Sequence, residues 1–555
     1  MNETDMPNKP EIHGGKILAN ALASQGVEYA FGVPGESFLA LLDGLYDQQN
    51  QIEFVTCRQE GGAAYMADAY AKLTGKVGVL MVTRGPGASN AMVGVHTAYQ
   101  DSTPMVVFVG QVSSEMIERE AFQEMDFRQT YSQCAKWVGS IDRVERINEY
   151  VSKAFHLAQS GRMGPVVLAL PEDVLSSLGP DHVSQQAHRV QPGVDMEAFE
   201  KAKELLEKAK NPIIVLGGSS WDANSCADLQ RFAEEQKIPV VTSFRYQDLI
   251  DNDSSAYAGF LGLGINPKLV QRVSQADVIL VIGDRLGEIT TLGYTLFTVP
   301  HPKQAMIHVH PGANELGFVY QPTVALNCAP THFVKHLIAA NLKLQKNEEW
   351  YAQARRDQEA FQVPLPIVGN IQLAEIFKNL NEVLPKDAII TNGAGNFTTW
   401  LHRYYSYSGF KTQLAPANGS MGYGLPAAIA AKIAMPDRTV ICIAGDGDVM
   451  MNIQELATGM KYQAKPIVII LNNGMYGTIR MHQEREYKQR VSGTFLTNPD
   501  FVLLAKSFDM QGYRVTKTEE FFPALQDAMA HGQGALIELI TEPNAITPTK
   551  TLQEL

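Results

Sequence analysis

Two short polar clusters carry the most chemistry in this chain of 555 residues. They are Gly445-Asp446-Gly447-Asp448 and Asn472-Asn473-Gly474, with twenty-four residues between Gly447 and Asn472. Asp446 offers a carboxylate, Asn473 an amide oxygen, and Met475 a backbone carbonyl just beyond. An all-oxygen half-shell of this kind suits Mg²⁺, which takes few protein ligands and completes its octahedron with water and phosphate oxygens. The flanking glycines let the backbone come close to a diphosphate. Taken alone, a Gly-Asp-Gly turn is most often a plain link between strand and helix.

The neighbouring residues supply the elements that would place these groups. Thr439–Ala444 is a short apolar run rich in β-branched residues and reads as a strand. Gly445 to Asp448 reads as a turn, Asn452–Tyr462 has helical periodicity, and Pro466–Leu471 is a second apolar strand. A strand–helix–strand crossover makes its two strands parallel. Asp446 and Asn473 then leave the same, carboxyl edge of the sheet, where open α/β sheets bind ligands.

Three further stretches stand out. Glu60 sits in Cys57-Arg58-Gln59-Glu60-Gly61-Gly62-Ala63-Ala64. On pattern alone it is a charge at a helix N-terminus. Ser420-Met421-Gly422-Tyr423-Gly424 puts a methionine in a glycine-rich turn, where the plain reading is a core side chain. Asn392-Gly393-Ala394-Gly395-Asn396-Phe397 follows the apolar run Ala388–Ile390 and reads as a strand–helix connection.

The totals narrow the class. The length implies about three to four domains. Hydrophobic residues make up 45% and charged residues 19%, a balance that allows large cores. A net charge of −13 argues against a nucleic-acid surface. Five scattered cysteines fit a reducing cytoplasm and no zinc site. The polar first fifteen residues show no signal-peptide core, and no apolar run reaches the ~20 residues of a membrane span.

Along the chain, helix and strand patterns alternate from Gly14 to about Leu178. Tyr29–Val33, Phe54–Thr56, Val77–Thr83, Pro104–Val109 and Pro165–Leu170 read as strands, and Glu60–Leu73 as a helix full of small residues. Gly179–Glu197 reads as a linker, as does the charged, then proline-rich Gln345–Gly369. Between them Pro212–Leu216, Val278–Ile282 and Met306–Val309 read as buried strands. The expectation is an α/β chain of three doubly wound parallel-sheet domains, over residues 1–180, 195–345 and 366–555. The tail Glu542–Leu555 is expected to be mobile or to fold over a site.

Taken together, these stretches resemble the thiamine-diphosphate enzymes, whose metal motif is Gly-Asp-Gly, a similar gap, then Asn-Asn. The resemblance implies pyrimidine-binding, central and diphosphate-binding domains in that order. It implies that Asp446, Asn473 and the Met475 carbonyl hold Mg²⁺, with Gly445, Gly447, Asp448 and Tyr476 in the same cofactor-binding stretch. It implies that Gly395 and Asn396 belong to the loop that holds the diphosphate. Met421, next to Ser420, falls where the family props the bent cofactor, a form of proximity catalysis. Glu60 falls where a glutamate bonds the pyrimidine ring and activates the cofactor. In the family that glutamate and the metal site come from neighbouring subunits, so a homodimer or homotetramer with interfacial sites is implied.

Phe31-Gly32-Val33-Pro34-Gly35-Glu36, Thr83-Arg84-Gly85-Pro86-Gly87, Asp101-Ser102-Thr103-Pro104 and Ala121-Phe122-Gln123-Glu124 resemble the acetolactate (acetohydroxyacid) synthases. The likeness covers nearly the whole chain and carries Gln123 over as a polar group near the thiazolium. Several residues depart from the pattern. Glu36 replaces a glycine and offers a proton donor, or a helix N-terminal charge. His482 replaces a tryptophan that selects the second keto acid. Glu172 replaces a lysine, and Phe397 a phosphate-binding histidine. His96 and His482 are the histidines to test for proton transfer. The middle domain lacks the paired acids usual in flavin-binding synthases, which argues against FAD. Gly217-Gly218, Gly262-Leu263-Gly264 and Arg285 leave a nucleotide cleft open, against ordinary strand–helix turns.

The expected activity is decarboxylation of a 2-oxo acid, pyruvate-like, with transfer of the acyl anion to a second carbonyl. Simple decarboxylation, or cleavage of a 2-hydroxyacyl or 2-hydroxyketone substrate by a lyase, is the alternative on the same cofactor. A non-catalytic cofactor-binding homologue is the alternative from another class.

Overall fold

A computed structural model of the chain describes residues 11–182 and 184–555. Met1–Pro10, most of the stretch read as lacking a signal peptide, lie outside the described residues. Three sheets of six parallel strands dominate, each enclosed by helices as parallel sheets require.

The first sheet has the order Glu53–Thr56, Tyr29–Gly32, Gly78–Val82, Met105–Gln111, Pro165–Pro171, Trp137–Ser140. Every residue of Gly78–Val82 and Met105–Gln111 is buried, because helices cover both faces. A fully buried Val or Leu side chain contributes roughly 1.5–3 kcal/mol, so these unbroken apolar runs anchor the layer.

The central sheet runs Tyr257–Phe260, Val240–Thr242, Pro212–Leu216, Val278–Ile282, Ala305–His310, Val324–Asn327. Its order reverses at Pro212–Leu216. The third runs Gln413–Leu414, Ile389–Asn392, Val440–Gly445, Ile467–Asn472, Ala535–Ile540, Gln511–Val515. Numbered within each domain, the first and third sheets share one strand order, despite no obvious sequence repeat.

The chain forms two compact units. One runs to Val190 and takes in Ala457–Tyr462; the other holds Gln191–Leu456 and Gln463–Leu555. The crossover helix expected over Asn452–Tyr462 is therefore divided. A 3-10 turn occupies Ile453–Glu455 and a helix Leu456–Lys461. Within the first unit the Tyr462 hydroxyl accepts from Thr56 N (2.8 Å) and donates to Phe54 O (3.1 Å), gripping the edge strand.

Three sequence expectations need correction. Gln345–Gly369 is not all linker, because Glu348–Phe361 is a helix. The Asn347 side chain caps it, accepting from Trp350 N at 3.1 Å, and Tyr351 and Ala354 are buried. Its charged outer face hid that stripe. Gly445–Asp448 is not a simple turn either: the strand ends at Gly445 and Asp446–Val449 form one helical turn. Gly179–Glu197 also begins in structure, as Leu178–Pro180 pair antiparallel with Glu11–His13. Among the described residues no helix is long and apolar enough to cross a membrane.

Candidate functional site

In the second unit, Val440–Gly445 and Ile467–Asn472 pair parallel, with Gly445 opposite Leu471. Asp446 and Asn473 thus leave adjacent strands at one edge, and both line a cavity of about 720 Å³. Asp446 Oδ2 accepts from Gly474 N at 3.0 Å and from Asn498 Nδ2 at 2.7 Å. Burial pushes its carboxyl above the ordinary range, and those bonds oppose the shift. Asn473 Oδ1 accepts from Met475 N at 3.1 Å. Met475 bridges to Phe495, and Tyr476 N donates to Thr494 O at 2.9 Å. The segment 494–498 therefore buttresses the metal motif. Asn498 went unnoticed in the sequence because its Thr-Asn-Pro-Asp setting reads as an ordinary turn.

Gly447 has a packing reason to be glycine. A Cβ there would stand 2.6 Å from Tyr476 Cε1 and 2.8 Å from Leu496 Cδ1. The Tyr476 ring occupies that space and helps wall the cavity.

Asp448 has a different task from the one its motif suggests. Its Oδ1 accepts from Gly422 N at 2.8 Å and Ala394 N at 3.1 Å. It brackets the Gly393–Asn396 loop to the Met421 loop. A Cβ on Gly393 would lie 2.2 Å from that oxygen, so only glycine permits the bracket. Burial pushes the Asp448 carboxyl up to about 6, against those two backbone bonds. Its Oδ2 is buried with no hydrogen-bond partner among the described residues. Gly422 takes φ +77°, and its carbonyl accepts from Asn452 Nδ2 at 2.8 Å. These bonds set Met421 on the cavity wall.

Gly395 and Asn396 also line the cavity. The Asn396 amide is already engaged, however. Its Nδ2 donates to Ile546 O at 3.0 Å and its Oδ1 accepts from Thr478 Oγ1 at 2.9 Å. The expected side-chain donor to a diphosphate is thus tied to the tail, leaving backbone groups for that work at this turn. Ser420 does not line the cavity, although Gly419 and Met421 on either side do. Its N donates to Asn418 Oδ1 at 3.2 Å. The tail folds over the site: Ala545–Thr547 and Lys550–Thr551 form a small antiparallel pair, and Ile546 is buried against the cleft. His482 lines the cavity, with Arg485 Nη2 donating to its Nδ1 at 2.8 Å.

The donor set fits the expected metal. Asp446, Asn473 and Met475, which offer a carboxylate, an amide oxygen and a carbonyl, all line this cavity, while no group of three His, Cys, Asp or Glu side chains gathers anywhere among the described residues. Gly395, Gly445 and Gly447 line the cavity at these turns, where glycine lets the backbone approach a diphosphate closely.

In the first unit, Glu60 opens the helix Glu60–Thr74 and is 8% exposed. Gln59 caps that helix, its Oε1 accepting from Gly61 N at 2.6 Å and Gly62 N at 3.1 Å. Asn90 Nδ2 donates to Glu60 Oε2 at 2.9 Å. Asn90 stands on Gly85–Asp101, which packs so close that a Cβ on Gly94 would meet Ala64 Cβ at 2.3 Å. A Cβ on Gly87 would lie 3.2 Å from Glu60 Oε1, so the glycine leaves room beside that oxygen. Gln123, at φ +64°, accepts from Gly85 N at 3.0 Å through its carbonyl. The same helix start therefore places both Glu60 and Gln123. Glu36 is exposed at the start of a 3-10 turn. Its neighbour Ser37 bonds Thr83 Oγ1 at 3.0 Å, tying that turn to the same edge. Glu172 forms an ion pair with Arg84. His96 is exposed on Gly85–Asp101.

In the central sheet the glycines at the strand-order reversal pack tightly against their neighbours. A Cβ on Gly218 would lie 1.9 Å from Gly283 O, and one on Gly217 would lie 2.4 Å from Asp284 Oδ2. Arg285 Nε donates to Glu315 Oε2 at 2.9 Å. Gly217 and Gly218 thus allow close packing there, as strand–helix turns do, and Arg285 pairs with Glu315. Leu263 and Gly264 instead face the large cavity.

Comparison with known proteins agrees with this partition. Three family models of thiamine pyrophosphate enzymes match: the N-terminal TPP binding domain over residues 12–130, the central domain over 199–337 and the C-terminal TPP binding domain over 393–539. The acetolactate synthase large subunit of Buchnera aphidicola subsp. Acyrthosiphon pisum is 32% identical over 535 residues, 94% of this chain and 92% of that protein. The acetolactate synthase isozyme 2 large subunit of Escherichia coli is 31% identical, covering 94% of each chain. The mitochondrial acetolactate synthase catalytic subunit of Saccharomyces cerevisiae is 30% identical, covering 95% of this chain and 80% of that one.

Proposed function

Because this chain belongs to the thiamine pyrophosphate enzymes, we propose that it is an acetolactate-synthase-like carboligase that decarboxylates a 2-oxo acid such as pyruvate. The observation that carries the reading is the in-register parallel pair that delivers Asp446 and Asn473 to one wall of a large cavity. The names of the relatives support the carboligase. Bound thiamine diphosphate supplies an electron sink that lets a 2-oxo acid lose CO₂ and pass its acyl group to a second carbonyl.

The chain's own residues divide the remaining work. Asp446, Asn473 and the Met475 carbonyl hold Mg²⁺, and the turns at Gly395, Gly445 and Gly447 admit the diphosphate. Met421 supports the cofactor, on a loop that Asp448 fixes. Glu60, steered by Asn90, bonds the pyrimidine, and Gln123 faces the substrate from the same helix start. The metal half and the Glu60 half are supplied by different copies, in a cytoplasmic homodimer or homotetramer. We read the site without flavin, which stays doubtful for the central domain; the close packing of Gly217 against Ser243 and Asp284 supports that reading.

One observation favours a second reading. Glu36 is an exposed acid on the Thr83 edge; a proton handed on there releases an aldehyde in place of a ligation product. Product analysis with pyruvate, thiamine diphosphate and Mg²⁺ decides. Acetolactate supports the carboligase, acetaldehyde the decarboxylase, and no CO₂ release from any 2-oxo acid rejects both.

A further inference from the structure

One wall of the large cavity ends on a buried cation. The helix Phe397–Tyr404 starts beside Gly395 and Asn396, at the turn that faces the diphosphate cradle. Asn396, Thr399, Trp400 and Arg403 stand at i, i+3, i+4 and i+7, and all four line the cavity. Residues so spaced share one face of a helix. At about 1.5 Å per residue, that face carries Arg403 about 10 Å along the wall from Asn396.

Arg403 is 7% exposed, so its charge has left bulk water, and burial pushes its pKa down. What holds the side chain does not neutralise it. Its Nε donates to Phe361 O at 2.7 Å. Its Cζ lies 4.0 Å from the Phe361 ring centroid and 5.0 Å from that of Tyr404. Among the described residues no carboxylate pairs with Arg403, and its Nη1 and Nη2 have no hydrogen-bond partner. The acids on the same cavity are engaged elsewhere. Asp446 bonds Gly474 N and Asn498, and Glu542 accepts from Asn544 N. Asp448 bonds Gly422 N and Ala394 N and feels the charge of Arg245. A buried charge is ordinarily paired, because desolvation is costly. The two stacked rings offset part of that cost, and an incoming anion offsets more.

The wall beside this cation is apolar. Ile371, Leu373 and Trp400 belong to one core cluster and also line the cavity, as do Phe361 and Ile367. Apolar walls lower the local dielectric and strengthen the pull on an anion. With Nε taken, the edge formed by Nη1 and Nη2 remains. That edge offers two parallel N–H bonds, which match a carboxylate and which a lysine does not reproduce.

We infer that Arg403 and the wall of Phe361, Ile371, Leu373 and Trp400 form a binding site for an apolar monocarboxylate. The guanidinium takes the carboxylate and the wall takes the hydrocarbon chain. The inference goes beyond the carboligase reading and does not require it, since binding is measured without turnover.

The test uses the full chain loaded with thiamine diphosphate and Mg²⁺, with hexanoate, hexanamide and acetate as calorimetric probes. Wild type is expected to bind hexanoate at least tenfold more tightly than hexanamide, which lacks the charge, and than acetate, which lacks the chain. Arg403→Met is expected to abolish the preference over hexanamide, with hexanamide and cofactor affinities unchanged. Arg403→Lys keeps a charge without the fork and is expected to retain only part of that preference; it remains decisive if the Met variant does not fold. No preference for hexanoate in wild type, an unchanged hexanoate affinity in either variant, equal weakening of hexanoate and hexanamide, or a tenfold loss of cofactor affinity overturns the assignment. CO₂ release from 2-oxo acids is scored separately. If hexanoate raises KM for the 2-oxo acid, the reacting acid itself fills the site; if KM is unchanged, a non-reacting acid does. Absence of turnover rejects the carboligase reading and leaves the binding result standing.

Discussion

Asn498 Nδ2 reaches Asp446 Oδ2 at 2.7 Å and, from the same nitrogen, Asn472 Oδ1 at 3.0 Å. One amide thus fixes the proposed metal carboxylate and the strand end beside it. Outer-shell partners of this kind typically tune metal affinity by 10–100-fold. Asn498→Ala is expected to weaken Mg²⁺ about tenfold or more while the protein stays folded. Magnesium titration of cofactor binding measures it; an unchanged midpoint would show that Asn498 only supports the turn.

Asp448 serves as a bracket between two loops, so its removal should be felt at both. Asp448→Ala leaves the N–H groups of Gly422 and Ala394 without their acceptor. Each buried donor left unmade costs about 1–3 kcal/mol. The expected result is a lower Tm together with loss of cofactor binding, read by thermal melts with and without thiamine diphosphate and Mg²⁺. Gly393→Ala should behave alike, because its new methyl would collide with the same carboxylate.

Much of this was legible because the informative segments obey local rules. The apolar runs Val440–Gly445 and Ile467–Asn472 are buried strands, and their period and length alone predict them. The placing of Asp446 and Asn473 at one sheet edge follows from the parallel pairing that a strand–helix–strand crossover imposes. What stayed hidden depends on tertiary partners. Asn396 looks like a phosphate donor until the tail carbonyl of Ile546 takes its amide. Asn90 reads as one polar residue on a helix until Gly94 lets that helix approach Glu60.

Among the described residues the Asn90 amide steers Glu60, which makes its contribution separable. Glu60→Gln keeps the size of the side chain and removes the ionisable oxygen. Loss of a positioned acid–base group typically costs 10²–10⁴-fold. Turnover should fall by that order while thiamine diphosphate still binds. Asn90→Ala should give a smaller loss. Single-turnover assays with calorimetry on the same preparations check both; undiminished turnover in Glu60→Gln would remove Glu60 from the reaction.

The tail should matter for cofactor affinity more than for folding. Ile546 supplies the carbonyl that holds Asn396 Nδ2, and residues 545–549 line the cavity. Truncation after Asn544 frees that amide and opens the cleft to water. Thiamine diphosphate affinity is expected to drop about tenfold with a small change in Tm. Equal affinity in the truncated and full chains would show that the tail merely rests on the cleft.

Asp248 makes stability depend on pH in an unusual direction. Its carboxyl is buried and pushed up to about 6, because desolvation outweighs the bonds it accepts from Gln413 N at 3.3 Å and Thr412 N at 3.2 Å. Between about pH 4 and 6 the folded chain holds a proton that the unfolded chain has released. By linkage its contribution favours folding below pH 4, falls through that window and stays low above it. The shift is worth roughly 2–3 kcal/mol at this site. Asp248→Asn keeps an oxygen for both N–H groups and cannot ionise. The variant should therefore gain on wild type as pH rises from 4 to 6, and hold that gain at pH 7. Urea unfolding of both proteins across pH 4–8 reads the difference directly. A constant difference across the range would mean that Asp248 ionises in its burial site as easily as in water.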